Sequence, residues 1–147
     1  MRLTLQTDFG VRVLLYLAAA PDRRGTVRGI AQAYGISQHH LSKVAARLAG
    51  AGLVISSTGR TGGLVLAVDP ATVTLGAVVR LTEDDMAIVQ CLGHEGPCAI
   101  DGVCAAKGAF VRARKAFLDE LDRTTLADAL GRGNGVRRVL QIAPRPA

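Results

Sequence analysis

The first part of the chain carries apolar residues at the three- and four-residue spacing of amphipathic helices. This spacing predicts a first helix over residues 7–20, which Pro21 ends. Thr7 or Asp8 is its expected N-cap, because short polar side chains accept hydrogen bonds from the first turn of a helix. The apolar positions behind this prediction are Phe9, Val13, Tyr16 and Leu17.

Two shorter helices are predicted next, and the turn between them contains Gly35. We expect Gly35 to be the C-cap of the second helix and Ser37 to be the N-cap of the third. Two short helices joined by a three- or four-residue turn with a glycine form a helix-turn-helix unit. The apolar positions are Val27, Ile30, Ala31 and Tyr34 in the second helix, and Leu41, Val44, Ala45 and Leu48 in the third.

The opposite face of the third helix is polar, hydrogen-bonding and partly basic. Such side chains read base edges and phosphates in a DNA major groove, although an ordinary solvated helix face has the same composition. The positions expected on this face are Gln38, His39, His40, Lys43 and Arg47. The DNA contacts predicted for the whole chain are Arg2, Arg28, Ser37, Gln38, His39, His40, Lys43 and Arg60.

Residues 53–57 and 64–68 are two β-prone runs that bracket a glycine-rich turn. This pattern predicts a β-hairpin whose tip carries one cation, Arg60. A helix-turn-helix followed by a β-hairpin is the order of a winged helix. An arginine at the tip of the wing suits the narrow minor groove of A-tracts.

The second half of the chain predicts a fourth helix, with Thr74 as its N-cap, and a long helix from about residue 106 to residue 121. An acidic stretch, residues 83–85, follows the fourth helix. The apolar stripe of the long helix is narrow, which favours packing against a second copy of the chain; the alternative is a stripe that covers the monomer's own core. The stripe consists of Ala106, Phe110, Ala113, Phe117 and Leu121.

The pattern as a whole predicts a mainly α fold with a small β-hairpin, assembled as a homodimer. We expect a winged helix-turn-helix DNA-binding region over residues 1–70. A cysteine-containing loop and the dimerisation helix occupy residues 71–130. Residues 131–147, rich in glycine, arginine and proline, are expected to form a flexible tail.

Length, composition and charge narrow the classes of function. A chain of 147 residues, 49% of them apolar, is long enough for one domain with its own core. The net charge is +6, and residues 1–68 carry eight basic and two acidic side chains, so the whole excess falls on the helix-turn-helix half. Three Phe, two Tyr and no Trp offer little surface for stacking single-stranded bases, which favours double-stranded DNA as the partner. No apolar run has membrane-spanning length. With no export signal and an odd number of cysteines, we expect a cytoplasmic protein, and with no catalytic motif we expect that it is not an enzyme.

All three cysteines fall within residues 91–104, which we call the cysteine segment. Glycine and proline break this segment, so it is expected to be a loop. Thiolates are the ligands that zinc and iron–sulfur clusters prefer. The residues alone leave three alternatives open. Zinc could be held by Cys91, His94, Cys98 and Cys104; a cluster could be held by the three thiolates and a fourth ligand from elsewhere; or bare thiols could form a redox switch.

With these elements in place, the chain resembles the IscR/NsrR family of winged-helix regulators over about residues 1–130. The matching stretches are Met1-Arg2-Leu3-Thr4 with Thr7-Asp8, Ile30-Ala31 with Gly35-Ile36-Ser37, Leu41-Ser42-Lys43-Val44, Gly59-Arg60-Thr61-Gly62-Gly63-Leu64, Thr74-Leu75-Gly76 and the three cysteines. The wing together with the cysteine segment makes the resemblance specific.

The resemblance implies a particular ligand set. Members of the IscR type supply a histidine three residues after the last cysteine, and this chain has Lys107 there. Members of the NsrR type that hold a 4Fe-4S cluster use an aspartate near the N-terminus of the other subunit, and Asp8 matches it. The implied ligands are therefore Cys91, Cys98, Cys104 and Asp8. His94 is the substitute for Asp8, because the spacing between the first two cysteines is one residue longer than the family pattern.

The resemblance also implies a function: a transcriptional repressor that senses nitric oxide through the cluster and controls nitric oxide detoxification genes. A carboxylate is a harder and weaker ligand for cluster iron than a thiolate, so Asp8 is the ligand expected to leave first. The alternatives are a regulator of the IscR type that responds to iron–sulfur or redox status, an electron carrier, and a zinc-stabilised DNA binder. A 2Fe-2S cluster and zinc are the alternative cofactors.

Overall fold

The computed structural model describes residues 2–57, 62–93 and 98–142. Most of the regular structure is helical, which confirms the predicted mainly α fold with a small β element. The helices are α1 Leu5–Ala19, α2 Val27–Tyr34, α3 Gln38–Gly50, α4 Leu75–Thr82, α5 Ala105–Asp122, α6 Leu126–Leu130 and α7 Gly135–Val139. The strands are β1 Arg24–Gly25, β2 Val54–Ser57 and β3 Gly63–Leu66, and a 3-10 helix spans Gln90–Leu92.

The first helix begins two residues earlier than the sequence predicts. Its N-cap is Thr4, so the predicted capping role of Thr7 or Asp8 is wrong. The backbone N–H and the hydroxyl of Thr4 both donate to the Glu83 carboxylate, at 2.8 and 2.9 Å. The Thr7 hydroxyl also donates to Glu83, and it pairs with the Thr82 hydroxyl at 2.7 Å. The start of α1 is therefore held by the Glu83 carboxylate, which lies 79 positions away in the sequence, instead of by a local capping side chain.

The helix-turn-helix unit forms as predicted. Gly35 ends α2 in the left-handed region, with φ of 64°, where a side chain would be strained. Ser37 is the N-cap of α3. The buried face of α3 consists of the four apolar residues that the spacing identified, each at most 3% exposed: Leu41, Val44, Ala45 and Leu48.

The predicted hairpin belongs to a three-stranded antiparallel sheet in the order β1-β3-β2. Strands β2 and β3 pair in register from Val54 opposite Leu66 to Ser57 opposite Gly63. The sequence did not predict β1, because a strand of two residues is too short to show an alternating pattern. This strand follows α1 and pairs with β3, so it joins the wing to the helical part of the fold.

One hydrophobic core joins the two halves of the chain. Val73, Val78 and Leu126 belong to the same cluster of buried side chains as the apolar faces of α1, α2 and α3. Packing is therefore continuous across the expected boundary at residue 70.

The long helix α5 is attached at its C-terminal end. Arg80 of α4 and Asp122 form a two-pronged ion pair, with N–O distances of 2.7 and 2.6 Å, and Leu126 just beyond is fully buried. No residue of α5 itself is buried by the described part of the chain. Ala106, Phe110 and Ala113 are exposed, so the described residues leave the first half of the apolar stripe open.

Residues 131–142 lie in the segment for which the sequence suggests a flexible tail. They contain α7, which packs against α1, and Ile142 is buried. The Ile142 N–H donates to the Arg137 carbonyl, and the Arg137 Nε donates to the Ile142 carbonyl. This short folded unit differs from the expected loose tail, because α7 packs against α1 and the apolar side chain of Ile142 is buried.

Candidate functional site

The exposed face of α3 carries four of the eight predicted DNA contacts, and its N-cap is a fifth. All of these contacts that lie in the described residues are exposed. They are Arg2, Arg28, Ser37, Gln38, His39, His40 and Lys43. His39 and His40 lie side by side, with ring centroids 5.9 Å apart. This polar and basic surface at the start of α3 has the composition that suits base edges and phosphates. Arg60 lies outside the described residues.

Arg47 follows Lys43 by one helical turn on the same side of α3, but its side chain is not exposed there as the sequence led us to expect. Its guanidinium turns toward the ends of α1 and α4, and the side chain is 31% exposed. Nε donates to the Leu81 carbonyl at 2.8 Å, Nη1 to the Gln6 amide oxygen at 3.0 Å, and Nη2 to the Asp84 carboxylate at 2.6 Å. One side chain of the recognition helix α3 thus binds α1, α4 and the residues after α4.

Asp8 lies in the first turn of α1 and pairs with Arg12 one turn further on. The Arg12 Nε and Nη2 atoms are each 2.9 Å from a carboxylate oxygen of Asp8, which is 44% exposed. The Arg12 guanidinium also lies 5.5 Å from the ring centroid of Tyr34, the last residue of α2. Burial raises the pKa of Tyr34 to about 12, and the charge of Arg12 acts in the opposite direction. These contacts link Asp8 to the helix that precedes α3.

The three cysteines are free thiols at the start of α5 and on the segment before it. Cys91 lies on the 3-10 helix, Cys98 is exposed, and Cys104 is the N-cap of α5, where the helix dipole favours negative charge. Lys107 Nζ is 2.5 Å from the Asp101 carboxylate. The hydrogen bond to Asp101 raises the pKa of Lys107, and burial acts in the opposite direction.

The described residues do not bring three or more His, Cys, Asp or Glu side chains together at a possible metal site. Within this part of the chain, Asp8 therefore does not complete a ligand set with two cysteines of its own subunit. The substitute ligand His94 lies outside the described residues. The donor set itself fits an iron–sulfur cluster, because three thiols are available on one short segment.

The acidic stretch after α4 supplies contacts that sequence reasoning missed. Glu83 accepts hydrogen bonds from Thr4 and Thr7, and Asp84 binds Arg47. We call Glu83 and Asp84 the acidic clasp. Burial opposes ionisation of Glu83, but the hydrogen bonds from Thr7 and Thr4 outweigh it and hold the pKa of Glu83 below its usual value. The only sequence signal was a run of acids directly after a helix.

The fold and the exposed face of α3 define a class, the winged helix-turn-helix transcriptional regulators. The chain belongs to the Rrf2 family, described as iron-dependent transcriptional regulators, whose sequence profile matches residues 3–132. The predictions of a regulator and of a protein that is not an enzyme are thereby confirmed. Among the described helices, none combines the length and the apolar character needed to cross a membrane.

Two similar relatives each carry the name HTH-type transcriptional regulator NsrR. The protein from Halalkalibacterium halodurans is 40% identical over 146 residues, which cover 98% of this chain and all of the relative. The protein from Geobacillus kaustophilus is 41% identical over 143 residues, which cover 96% of this chain and 97% of the relative. These matches agree with the resemblance found from the motifs.

Solved structures share the fold. The structure of CymR, the global cysteine regulator of Bacillus subtilis, matches with a TM-score of 0.72 and 29% identity over 90% of this chain and 98% of CymR. IscR of T. potens matches with a TM-score of 0.68 and 27% identity over 88% of this chain and 86% of IscR.

Proposed function

We propose that this regulator is a DNA-binding repressor that senses nitric oxide through an iron–sulfur cluster and controls genes for nitric oxide detoxification. The observation that carries the proposal is the three-thiol cysteine segment in a chain whose family is described as iron-dependent. The relatives named NsrR, at 40% and 41% identity over almost the whole chain, support the same reading.

The proposed cluster is of the 4Fe-4S type, held by Cys91, Cys98 and Cys104 of one chain and by Asp8 of a second copy. Two observations support a ligand from another copy. The Asp8 side chain is accessible on the first turn of α1, and it does not gather with two cysteines within the described part of its own chain. His94 is the alternative fourth ligand.

The second copy is proposed to pack along α5, whose residues are not buried by the described part of the chain. In such a homodimer, residues 1–70 contact an operator in double-stranded DNA and residues 71–130 sense the signal and dimerise. Two copies of α3 then enter successive major grooves, which is how helix-turn-helix dimers read paired half-sites. The wing, with Arg60, is proposed to reach the adjacent minor groove. The place of action is the cytoplasm, where the operator is.

When bound, the cluster supplies iron that reacts with nitric oxide. The chain's part is to convert that reaction into a change of DNA affinity. As a ligand, Asp8 would tie the start of α1 to the cysteine segment of the other copy, and Arg12 of its own helix offers the same carboxylate an alternative partner. The recognition helices then lose their fixed spacing. A coupling of about 3 kcal/mol is sufficient, because it changes affinity by more than a hundredfold.

Anaerobic purification, with an absorption spectrum and a count of iron, sulfide and zinc, tests this proposal. We expect a brown protein with about four irons and four sulfides per subunit. Substitution of any one of Cys91, Cys98 and Cys104 by serine is expected to abolish this cofactor without unfolding the chain. A colourless protein with one zinc would make the cysteine segment structural, and reversible redox turnover without DNA affinity would indicate an electron carrier instead.

A further inference from the structure

The acidic clasp lies where α4 leads into the cysteine segment. Residues 83–90 connect the end of α4 to Cys91, so Glu83 and Asp84 lie on the backbone segment that leads to the first cysteine. Glu83 holds the start of α1 through Thr4 and Thr7. Asp84 is 79% exposed, and its contact among the described residues is the guanidinium of Arg47.

Arg47 brings three elements together at the last turn of α3. Its contacts with Leu81, Gln6 and Asp84 join the recognition helix to the end of α4, to the start of α1 and to the segment that leads to Cys91. A basic residue near a helix C-terminus is favourable in itself, because it complements the helix dipole. The helix dipole does not explain why the Arg47 side chain binds residues of α1 and α4.

We propose that Arg47 is a positioning residue that transmits the state of the cysteine segment to the recognition helix. The inference rests on the proposed function, since it requires that DNA affinity depend on the cluster. While the Arg47–Asp84 ion pair and the Arg47–Leu81 hydrogen bond are made, the end of α3 follows the end of α4. When the segment after α4 shifts, the same contacts rotate or release α3.

The test compares DNA affinities of cluster-loaded and cluster-free protein for Arg47→Met and Asp84→Asn. In the wild type the ratio of the two affinities is expected to be on the order of a hundred. Arg47→Met, which removes all three contacts, is expected to reduce that ratio by about tenfold, equivalent to roughly 1.4 kcal/mol of coupling. Asp84→Asn, which removes one exposed ion pair, is expected to reduce it by about twofold to fivefold. The double variant is expected to lose no more than the stronger single variant, because both substitutions remove one link. Asp84→Asn changes an exposed side chain, so folding is preserved even if Arg47→Met weakens the helix.

Lys43→Met is the matched control. Lys43 is a cation on the same helix, one turn before Arg47, and it lies on the exposed face. As a phosphate contact, Lys43 is expected to contribute equally in both states. Its loss is expected to lower the DNA affinities of the cluster-loaded and the cluster-free protein by the same factor, so that their ratio stays unchanged. It is also expected to reduce the salt dependence of binding by about one counterion.

A second readout needs no cluster. In the cluster-free protein, Arg47→Met is expected to speed amide hydrogen exchange at the end of α4, where the Leu81 carbonyl and Asp84 lose their partner, and Lys43→Met is expected not to.

Three results would overturn the inference. If Arg47→Met lowers both DNA affinities equally and reduces the salt dependence as Lys43→Met does, Arg47 is a phosphate contact. If the ratio in both variants equals that of the wild type, Arg47 does not transmit the signal. If wild-type protein binds no cluster, or binds DNA equally well with and without it, the proposed function fails, and the inference fails with it. The first two results leave the proposed function intact.

Discussion

At the scale of single residues, Asp8 is the position on which the proposed switch depends. Here it pairs with Arg12, which in turn contacts Tyr34 of α2. In the proposed dimer, Asp8 would be a ligand of the cluster held by the cysteines of the other copy, instead of the partner of Arg12. The Asp8 carboxylate thus has two competing partners, and a signal that favours one of them shifts the balance between two states.

Asp8→Ala is therefore expected to uncouple DNA affinity from nitric oxide. The cluster-loaded wild type is expected to lose affinity on the order of a hundredfold when treated, whereas the variant binds DNA weakly before and after treatment. Fluorescence anisotropy with a labelled operator measures both affinities. Asp22→Ala, which removes the same charge from the turn after α1, is the control and is expected to respond like the wild type. A loaded Asp8→Ala protein that responds normally would exclude the Asp8 switch.

Glu83 gives a prediction about pH. Its folded-state pKa lies below the ordinary value of 4.5, so its ionised form stabilises the fold. That contribution is fully present above about pH 4.5 and is lost as the pH falls through the lower folded-state pKa. Glu83→Gln is expected to be less stable than the wild type at pH 7 and to lose less stability on acidification. Urea unfolding at several pH values measures this, with Glu120→Gln on the surface of α5 as control. Parallel pH profiles for wild type and Glu83→Gln would contradict the assigned role.

At the scale of elements, the contact between β1 and β3 needs glycine at residue 63. A Cβ atom there would lie 2.7 Å from the carbonyl oxygen of Gly25, which belongs to the backbone of β1 and has little freedom to move. Gly63→Ala is expected to lower the free energy of unfolding by about 1–3 kcal/mol, a usual range for overpacking. Gly50→Ala is the control, because a Cβ there meets no described atom within 4 Å. Equal unfolding free energies for the two variants would show that β1 adds little to the fold.

The elements that the sequence predicted are those whose signals are local. The stripe on α3, the Gly35 cap and the Thr74 cap depend on residues within a few positions of one another, and all three are present. The start of α1 was misplaced because Glu83, which binds the N-cap Thr4, is distant in sequence. Arg47 was assigned to the exposed face because periodicity cannot show that the ends of α1 and α4 meet beside it. For the site, the sequence predicted the cysteines and Asp8 as ligands, and that stays a prediction, but it gave no sign of the contacts that Glu83 and Asp84 make with α1 and α3.

At the scale of the whole molecule, the uncovered face of α5 leads to a prediction about assembly. Phe110→Glu is expected to shift a dimer toward monomers, because it places a charge in the apolar stripe. Sedimentation velocity over a range of concentrations measures the change. Val139→Glu introduces the same charge at an apolar residue of α7 that is 80% exposed, and it is expected to leave the dimer intact. If both variants sediment like the wild type as dimers, the stripe around Phe110 does not form the interface.

The central claim is that nitric oxide acts on the cluster to release DNA. The most direct measurement is a titration of anaerobic, cluster-loaded protein with nitric oxide while operator binding is followed by anisotropy, beside a parallel titration with an oxidant that carries no nitric oxide. We predict that DNA is released in proportion to the nitric oxide added per cluster and that the oxidant has no such effect at equal equivalents. Release by the oxidant alone, or unchanged binding after complete reaction with nitric oxide, would contradict the claim.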